Sequence, residues 1–144
     1  MRGKNIVCSF DYEHDRNYYN LLEAWNRNPD IDFCISDCTP SEIQTESVAK
    51  IKSVLSRKIG EANYMIAIIG KHSEDLHKDH EEIGFRNWQS YEIEKNYEKG
   101  NGLVIVCLDS SVSVPVSCYG KGAKWIIGFD KDKIINALNE LARK

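Results

Sequence analysis

Short apolar runs alternate along the chain with segments whose apolar residues recur at helical spacing. The runs are rich in β-branched residues and are four to six residues long, which is typical of β-strands. They lie at residues 5–10, 31–35, 64–69, 103–108 and 124–127. This alternation predicts an α/β fold in which a parallel sheet is covered by helices on both faces.

The helical segments each show one apolar stripe. Residues three or four positions apart share a helix face, so each stripe predicts a helix with a single buried side. The stripes are Tyr18, Leu22 and Trp25, then Val48, Ile51 and Leu55, and last Ile134, Ile135, Leu138 and Leu141. A further helix is predicted over residues 88–99, because Gly100 and Gly102 follow it as a C-terminal signal.

These elements predict a single three-layer domain over residues 1–144, with a flavodoxin-like five-stranded parallel sheet. A length of 144 residues accommodates one domain of this kind. Ligands of such sheets bind beyond the carboxyl ends of the strands, so we expect function in the loops after Phe10, Ile35 and Ile69. The polar segment 71–87 interrupts the pattern, and we expect a solvated surface connection there.

Composition and charge narrow the range of partners. Hydrophobic residues make up 42% and charged residues 28% of the chain, as in ordinary globular proteins. The net charge of −3 argues against general binding to nucleic acid or to an anionic membrane. We find no apolar run of membrane-spanning length and no signal peptide, and we expect a cytoplasmic protein whose five cysteines are reduced packing residues.

Several common chemistries lack their sequence signatures. The chain has neither G-x-G-x-x-G nor G-x-x-x-x-G-K-[ST], and the acidic loop after the first strand would repel a phosphate. The third strand ends at Gly70, where a phosphoryl-accepting receiver domain needs an Asp. His72, His77 and His80 lie in the acidic segment 71–87, but that segment has no pattern of a rigid element, so we expect no metal site.

Trp88 and Glu92 open the predicted fourth helix. They are four positions apart and therefore lie on one helix face. From the residue types alone, Trp88 is either a core aromatic or part of a site, and Glu92 is either a solvated first-turn acid or a functional carboxylate. The residues by themselves leave both interpretations open.

Four segments taken in chain order resemble a known family. They are VCSFDY at residues 7–12, FCISDCTP at 33–40, IAIIG ending at Gly70, and the W-x-x-x-E of Trp88 to Glu92. In this order they resemble TIR-like domains, and most closely the Thoeris TIR proteins of bacterial anti-phage defence. The resemblance covers nearly the whole chain and implies a flavodoxin-like/TIR-like fold.

The resemblance also implies an activity and its residues. Members of the family are understood to cleave NAD between nicotinamide and ribose, and to release a cyclic or otherwise modified ADP-ribose that activates a separate effector protein. NAD is then a substrate, no cofactor is needed, and a phage-derived trigger with self-assembly on activation is implied. The family's catalytic Glu corresponds to Glu92, and its substrate-binding positions correspond to Phe10, Asp11, Tyr12, Asp37 and Trp88.

One carboxylate is enough for this chemistry, because the nicotinamide of NAD is a cation that leaves without protonation, unlike an ordinary glycoside's leaving group. An aromatic ring at Phe10, Tyr12 or Trp88 could hold that cation at a gain of about 0.5–2 kcal/mol. We expect the pyrophosphate near Lys71, or near the 120–122 turn and Lys124. Two alternatives stay open, a non-catalytic TIR-like scaffold and a nucleoside deoxyribosyltransferase-like enzyme with Glu92 as its nucleophile.

Overall fold

A computed structural model describes residues 4–28, 33–37, 43 and 45–143. Its strands are β1 (Lys4–Ser9), β2 (Phe33–Asp37), β3 (Tyr64–Ile69), β4 (Gly102–Cys107) and β5 (Lys124–Ile127). Its α-helices are α1 (Tyr12–Ala24), α2 (Val48–Gly60), α3 (His80–Ile83), α4 (Trp88–Glu98) and α5 (Lys131–Ala142). All strands pair in parallel in the order β2-β1-β3-β4-β5, which confirms the predicted α/β fold with its flavodoxin-like sheet.

Strand pairing, rather than apolar content, sets the strand boundaries. β3 and β5 have the predicted bounds, whereas β2 extends through two polar residues that the sequence pattern left out. Those residues, Ser36 and Asp37, pair with Val7 and Cys8 of β1. Trp25 also departs from its predicted helix, because α1 ends at Ala24 and a short 3₁₀ turn follows.

The sheet divides the core into two halves, because alternate strand residues point to opposite faces. On one face, α2, α3 and α4 cover Val7, Met65 and Ile105. On the other face, α1 and α5 cover Ile6 and Ile66. These are the three layers that the sequence predicts. No helix in the described part of the chain is long and apolar enough to cross a membrane.

A close contact fixes α1 against the end of β3. Gly70 follows β3, and a Cβ atom placed on it would lie 2.5 Å from Oδ2 and 2.9 Å from Oδ1 of Asp15. Asp15 is 6% exposed and belongs to α1. The absence of a side chain at residue 70 therefore allows the Asp15 carboxyl group to pack directly on the backbone at the carboxyl end of the sheet.

This contact predicts the effect of Gly70→Ala on stability. The new methyl group overlaps the Asp15 carboxyl group, so we expect the free energy of unfolding to fall by about 1–3 kcal/mol. In an Asp15→Ala background the overlap is gone and the same change should cost close to nothing. Urea denaturation of the four proteins measures both costs.

Gly60→Ala is the matched control for this experiment. A Cβ atom at Gly60 meets only the Lys99 side chain, at an ordinary distance of 3.6 Å, so this change should be neutral or stabilising. If Gly70→Ala lowered the free energy of unfolding equally with and without the Asp15 carboxyl group, overlap with that group would not be the cause.

Candidate active site

A cleft of about 560 Å³ lies beyond the carboxyl ends of the strands. It opens between the neighbouring strands β1 and β3. This is the topological switch point of the sheet, because β2 lies on one side of β1 and the later strands lie on the other side. Its walls come from the start of α1, from segment 71–87 and from the start of α4. Four of the six predicted site residues line it, namely Phe10, Asp11, Tyr12 and Trp88.

Glu92 lies in the interior beside this cleft rather than among the residues that line it. The residue is 1% exposed. The hydroxyl group of Ser9 donates a hydrogen bond to Glu92 Oε1 over 2.5 Å. The structure therefore holds the predicted catalytic carboxyl group against the last residue of β1, and the alternative of a solvated surface acid is wrong.

Gln89 connects α4 to both central strands. Its Nε2 atom donates to the carbonyl oxygen of Ser9 over 3.0 Å and to that of Ile68 over 2.8 Å. Carbonyl groups at strand ends need partners when they are buried, and one side-chain amide serves two of them here. Gln89 thus fixes the first turn of α4 at the ends of β1 and β3, and Glu92 follows one turn later.

The aromatic residues of the first loop are anchored unequally. Phe10 is buried and stacks on Tyr19 of α1, with ring centroids 5.1 Å apart and planes 7° apart. Tyr12 is partly exposed, its hydroxyl group accepts a hydrogen bond from Arg16 over 2.7 Å, and the Arg16 guanidinium lies 4.8 Å from its ring centre. Phe10 is therefore a fixed part of the cleft, whereas Tyr12 is accessible to a ligand.

Asp11 has a structural role that the sequence analysis did not predict. It is the N-cap of α1, and its Oδ1 atom accepts from the backbone N–H groups of Glu13 (3.0 Å) and His14 (3.3 Å). Its Oδ2 atom lies 3.1 Å from Nδ1 of His14. This side chain lines the cleft, but its oxygens are engaged within the protein.

Trp88 is 8% exposed and is one of the residues that line the cleft. Its ring meets Tyr91 edge to face at 5.6 Å and His77 at 6.3 Å. Trp88 is thus both a core residue and a lining residue, so the two interpretations of it are compatible. The sixth predicted residue, Asp37, ends β2, and its side chain lies outside the described residues, as do residues 38–40 of the FCISDCTP segment.

Segment 71–87 is a wall of the cleft, which corrects the expectation of a solvated surface connection. Its short helix α3 places Ile83 in the core with 1% exposure. Lys52 of α2 donates to the carbonyl oxygen of Glu82 over 2.9 Å, and Arg86 donates to that of Glu74. The sequence pattern missed this order because hydrogen bonds to backbone carbonyls, rather than an apolar stripe, hold the segment.

Asn87 joins this wall to α4. Its Oδ1 atom caps the helix by accepting from the N–H group of Ser90 (3.0 Å). Its Nδ2 atom donates to the carbonyl oxygens of Ser73 (2.8 Å) and Asp75 (2.9 Å). One amide therefore holds the cleft wall and the start of α4 together.

Asn87→Ala should loosen this wall. Loss of the cap and of two hydrogen bonds should lower the free energy of unfolding by about 1–2 kcal/mol. Hydrogen exchange of the amides in residues 73–86 should accelerate, and mass spectrometry of peptides measures it.

Asp130→Ala is the control, because Asp130 caps α5 in the same manner by accepting from Lys133 and lies outside the cleft lining. It should cost similar stability and leave exchange in residues 73–86 unchanged. If hydrogen exchange in residues 73–86 accelerated equally in both variants, Asn87 would act only as a helix cap and would not hold the cleft wall.

Two stacked histidines line both the cleft and a second cavity of about 420 Å³. The rings of His14 and His72 lie 3.6 Å apart at 17°, and Nδ1 of His72 lies 2.9 Å from Asp75 Oδ2. The hydrogen bond to Asp11 raises the pKa of His14. Burial raises the pKa of Asp15, which lines the second cavity, and the charge of Asp11 adds to that effect.

Carboxylates dominate the lining of the main cleft. Its acidic members are Asp11, Glu13, Glu46, Asp75, Asp79 and Glu82. Among the lining residues Lys78 is the lysine that faces them, together with three histidines. The cleft therefore favours a cationic or neutral group over a phosphate.

The expected pyrophosphate positions differ in their surroundings. Lys121 lies 3.4 Å from Glu94, and Lys124 lies 2.9 Å from Glu140. Neither lysine is among the residues that line the main cleft or the second cavity. Lys71 does line the second cavity, next to the stacked histidines.

Within the described residues, no group of three or more His, Cys, Asp or Glu side chains is arranged to hold a metal ion.

The order of the sheet, with a carboxyl group held at its switch point, defines a flavodoxin-like α/β protein. The sequence model of the family "Thoeris protein ThsB, TIR-like domain" matches residues 7–113. The chain therefore belongs to this family, which supports a role in anti-phage defence. No curated protein matches this chain.

Solved structures share the fold at low identity. A 2-deoxyribosyltransferase from Bacillus psychrosaccharolyticus is 12% identical with a TM-score of 0.59, and 90% of each chain is covered. A CMP N-glycosidase from Clostridium botulinum is 13% identical with a TM-score of 0.51, over 94% of this chain and 99% of that chain. A prokaryotic SEFIR domain is 13% identical with a TM-score of 0.55, over 98% and 97%. At such identities the likeness concerns the fold alone.

Three polar residues of the site were absent from the sequence predictions. Ser9 is a small polar residue inside an apolar strand run, Asn87 is the residue before a predicted helix, and Gln89 lies three positions before Glu92. The position of Asn87 is a usual N-cap signal. Ser9 and Gln89 become recognisable once β1, β3 and α4 are known to meet.

Proposed function

We propose that this protein cleaves the bond between nicotinamide and ribose in NAD. The product is a cyclic or otherwise modified ADP-ribose that activates a separate effector protein during anti-phage defence. Membership of the Thoeris family supports this proposal, and the chemistry of the cleft agrees with it.

The observation that carries the proposal is the position of Glu92. Its carboxyl group is 1% exposed and bonded to Ser9 at the switch point of the sheet, next to a cleft lined by Phe10, Tyr12 and Trp88. An acidic group beside an aromatic cleft is suited to a cationic substrate group and to the positive charge that develops on the sugar.

The reaction needs one carboxylate and no general acid. When the bond between ribose C1′ and the pyridinium nitrogen breaks, the electron pair goes to nitrogen and neutralises the departing nicotinamide. The sugar is left with oxocarbenium character, which a negative charge at Glu92 stabilises. Water then yields ADP-ribose, or a nucleophilic atom of the ADP-ribose itself attacks C1′, loses its proton and closes a ring.

Burial of Glu92 sets a requirement on substrate binding. In this conformation Ser9 occupies one carboxyl oxygen and Gln89 lies at the cleft surface beside it. The ribose must therefore reach Glu92 by displacing the Ser9 hydroxyl group from the carboxyl oxygen as the cleft closes, while Gln89 keeps its place. Self-assembly after a phage-derived trigger is a suitable cause of such closure.

Glu92→Gln tests the proposal because it keeps the shape of the side chain and removes its charge. We expect the rate of nicotinamide release to fall by about 10²–10³-fold, as when other transition-state contacts are removed. The measurement is mass spectrometry of nucleotides, with purified protein plus NAD and with lysates of phage-infected cells.

Glu98→Gln is the matched control on the same helix. Its side chain is 65% exposed and pairs with Lys95, so this variant should release nicotinamide at the wild-type rate. If wild type and Glu92→Gln both protected cells from phage while the nucleotides in both lysates matched those of an empty control, the non-catalytic scaffold would be the better explanation.

A nucleoside deoxyribosyltransferase-like enzyme is the second candidate. The acidic lining of the cleft favours it in one respect, because a nucleoside carries no phosphate that must be accommodated. Two of the structural neighbours also act on N-glycosidic bonds, although they share only the fold. In this case Glu92 attacks C1′ and forms a covalent glycosyl intermediate.

A substrate panel separates the two candidates. For the NAD-cleaving enzyme we expect nicotinamide release from NAD and no exchange of bases when thymidine and adenine are supplied together, because a neutral base leaves only after protonation. Liquid chromatography measures free and exchanged bases. Base exchange with a covalent adduct at Glu92 would establish the transferase instead.

A further inference from the structure

The orientation of the Gln89 amide is fixed. Both hydrogen atoms of Nε2 are used, because this nitrogen donates to the carbonyl oxygens of Ser9 and Ile68. Exchanging the oxygen and nitrogen would place Oε1 against two other acceptors, which is unfavourable. Gln89 therefore presents its Oε1 atom away from the strand ends.

That oxygen lacks a hydrogen-bond partner among the described residues. Gln89 is 6% exposed and is one of the residues that line the main cleft. A buried acceptor without a donor costs free energy, and native proteins leave few of them. A donor supplied by a ligand in the cleft would remove this cost.

The chemistry of the acceptor selects the kind of group that binds there. Ionised phosphate oxygens only accept hydrogen bonds, so a phosphate cannot pair with Gln89 Oε1, whereas a sugar hydroxyl group can donate to it. Gln89 and Glu92 lie one turn apart on the same face of α4, and both bond to Ser9. A sugar held at Glu92 therefore has its hydroxyl groups near Gln89.

We propose that Gln89 Oε1 accepts a hydrogen bond from a hydroxyl group of the sugar whose N-glycosidic bond is cleaved. Gln89 then selects sugars that carry this hydroxyl group, in addition to holding α4 on the strands. The inference rests on the proposed function, since that function places the sugar at Glu92.

The test combines changes in the protein with changes in the substrate. The proteins are wild type and Gln89→Met, and the substrates are NAD and analogues that lack the 2′ or the 3′ hydroxyl group of the nicotinamide ribose. In wild type, loss of the recognised hydroxyl group should lower kcat/KM about tenfold. In Gln89→Met the same loss should change kcat/KM less than twofold, because the acceptor is already gone.

A purely structural role predicts a different pattern. Gln89→Met also removes two hydrogen-bond donors to the strand ends. If this structural loss were the only effect, it would lower kcat/KM by the same factor for every substrate. Equal factors for NAD and both deoxy analogues would overturn the proposal. Asn96→Leu is the control, because it removes another buried amide of α4, which donates to Gly102 O, and Asn96 does not line the cleft.

Gln89→Lys keeps the test valid if Gln89→Met fails to fold. This variant retains donors for the carbonyl groups of Ser9 and Ile68 and has no acceptor oxygen, so loss of the hydroxyl group should again change kcat/KM less than twofold. A further analogue carries a carboxylate in place of the nicotinamide carboxamide. If replacing Gln89 changed the effect of this analogue on kcat/KM but not the effect of the deoxy sugars, Gln89 would recognise the base and the proposal would be wrong.

Binding experiments separate this inference from the proposed function. Calorimetry gives the Kd of NAD and the deoxy analogues for Glu92→Gln and for Glu92→Gln/Gln89→Met. If wild type cleaves nothing but the hydroxyl-dependent affinity disappears with Gln89, the NAD-cleaving function fails and the role of Gln89 stands. If neither binding nor cleavage depends jointly on Gln89 and a hydroxyl group, the role of Gln89 is refuted whatever the enzyme does.

Discussion

The contact on which the site depends is the pair of hydrogen bonds from Gln89 Nε2 to the carbonyl oxygens of Ser9 and Ile68. A parallel sheet that ends beneath a helix leaves strand carbonyls without ladder partners, and in a dry interior each needs a donor. Gln89 supplies both donors from the first turn of α4. The position of that turn then determines where Glu92 lies, because an α-helix advances only about 5.4 Å per turn.

In the proposed function, charge decides which half of NAD lies in the cleft. Carboxylates from the first loop to α3 line the cleft, and the stacked rings of His14 and His72 line both the cleft and a second cavity that includes Lys71. A pyridinium ring gains from the acidic side, whereas a pyrophosphate would be repelled there. In the proposed function the phosphates therefore lie outside the carboxylate-lined part, and the second cavity is the nearer of the basic positions considered.

The sequence predicted the sheet well because its strands are strongly apolar and its helices carry clear stripes. β3 and β5 appear with their predicted bounds, and α4 begins at Trp88 as predicted. The site was predicted less completely. Phe10, Tyr12 and Trp88 do line a cleft, but the cap at Asp11 is a local polar contact that an apolar pattern does not show. The hydrogen bonds of Gln89 join elements distant in sequence, which periodicity does not report. Segment 71–87 was misjudged for the same reason, since backbone carbonyls hold it together.

Burial of Glu92 bears on the choice between an enzyme and a scaffold. A carboxyl group in the interior costs free energy that an apolar side chain at the same place would not, even when a hydroxyl group such as that of Ser9 donates to it. A protein that only binds partners through its surface gains nothing from that cost at the ligand end of the sheet. An enzyme that must stabilise positive charge on a sugar does gain from it, because a carboxylate acts most strongly where water is excluded.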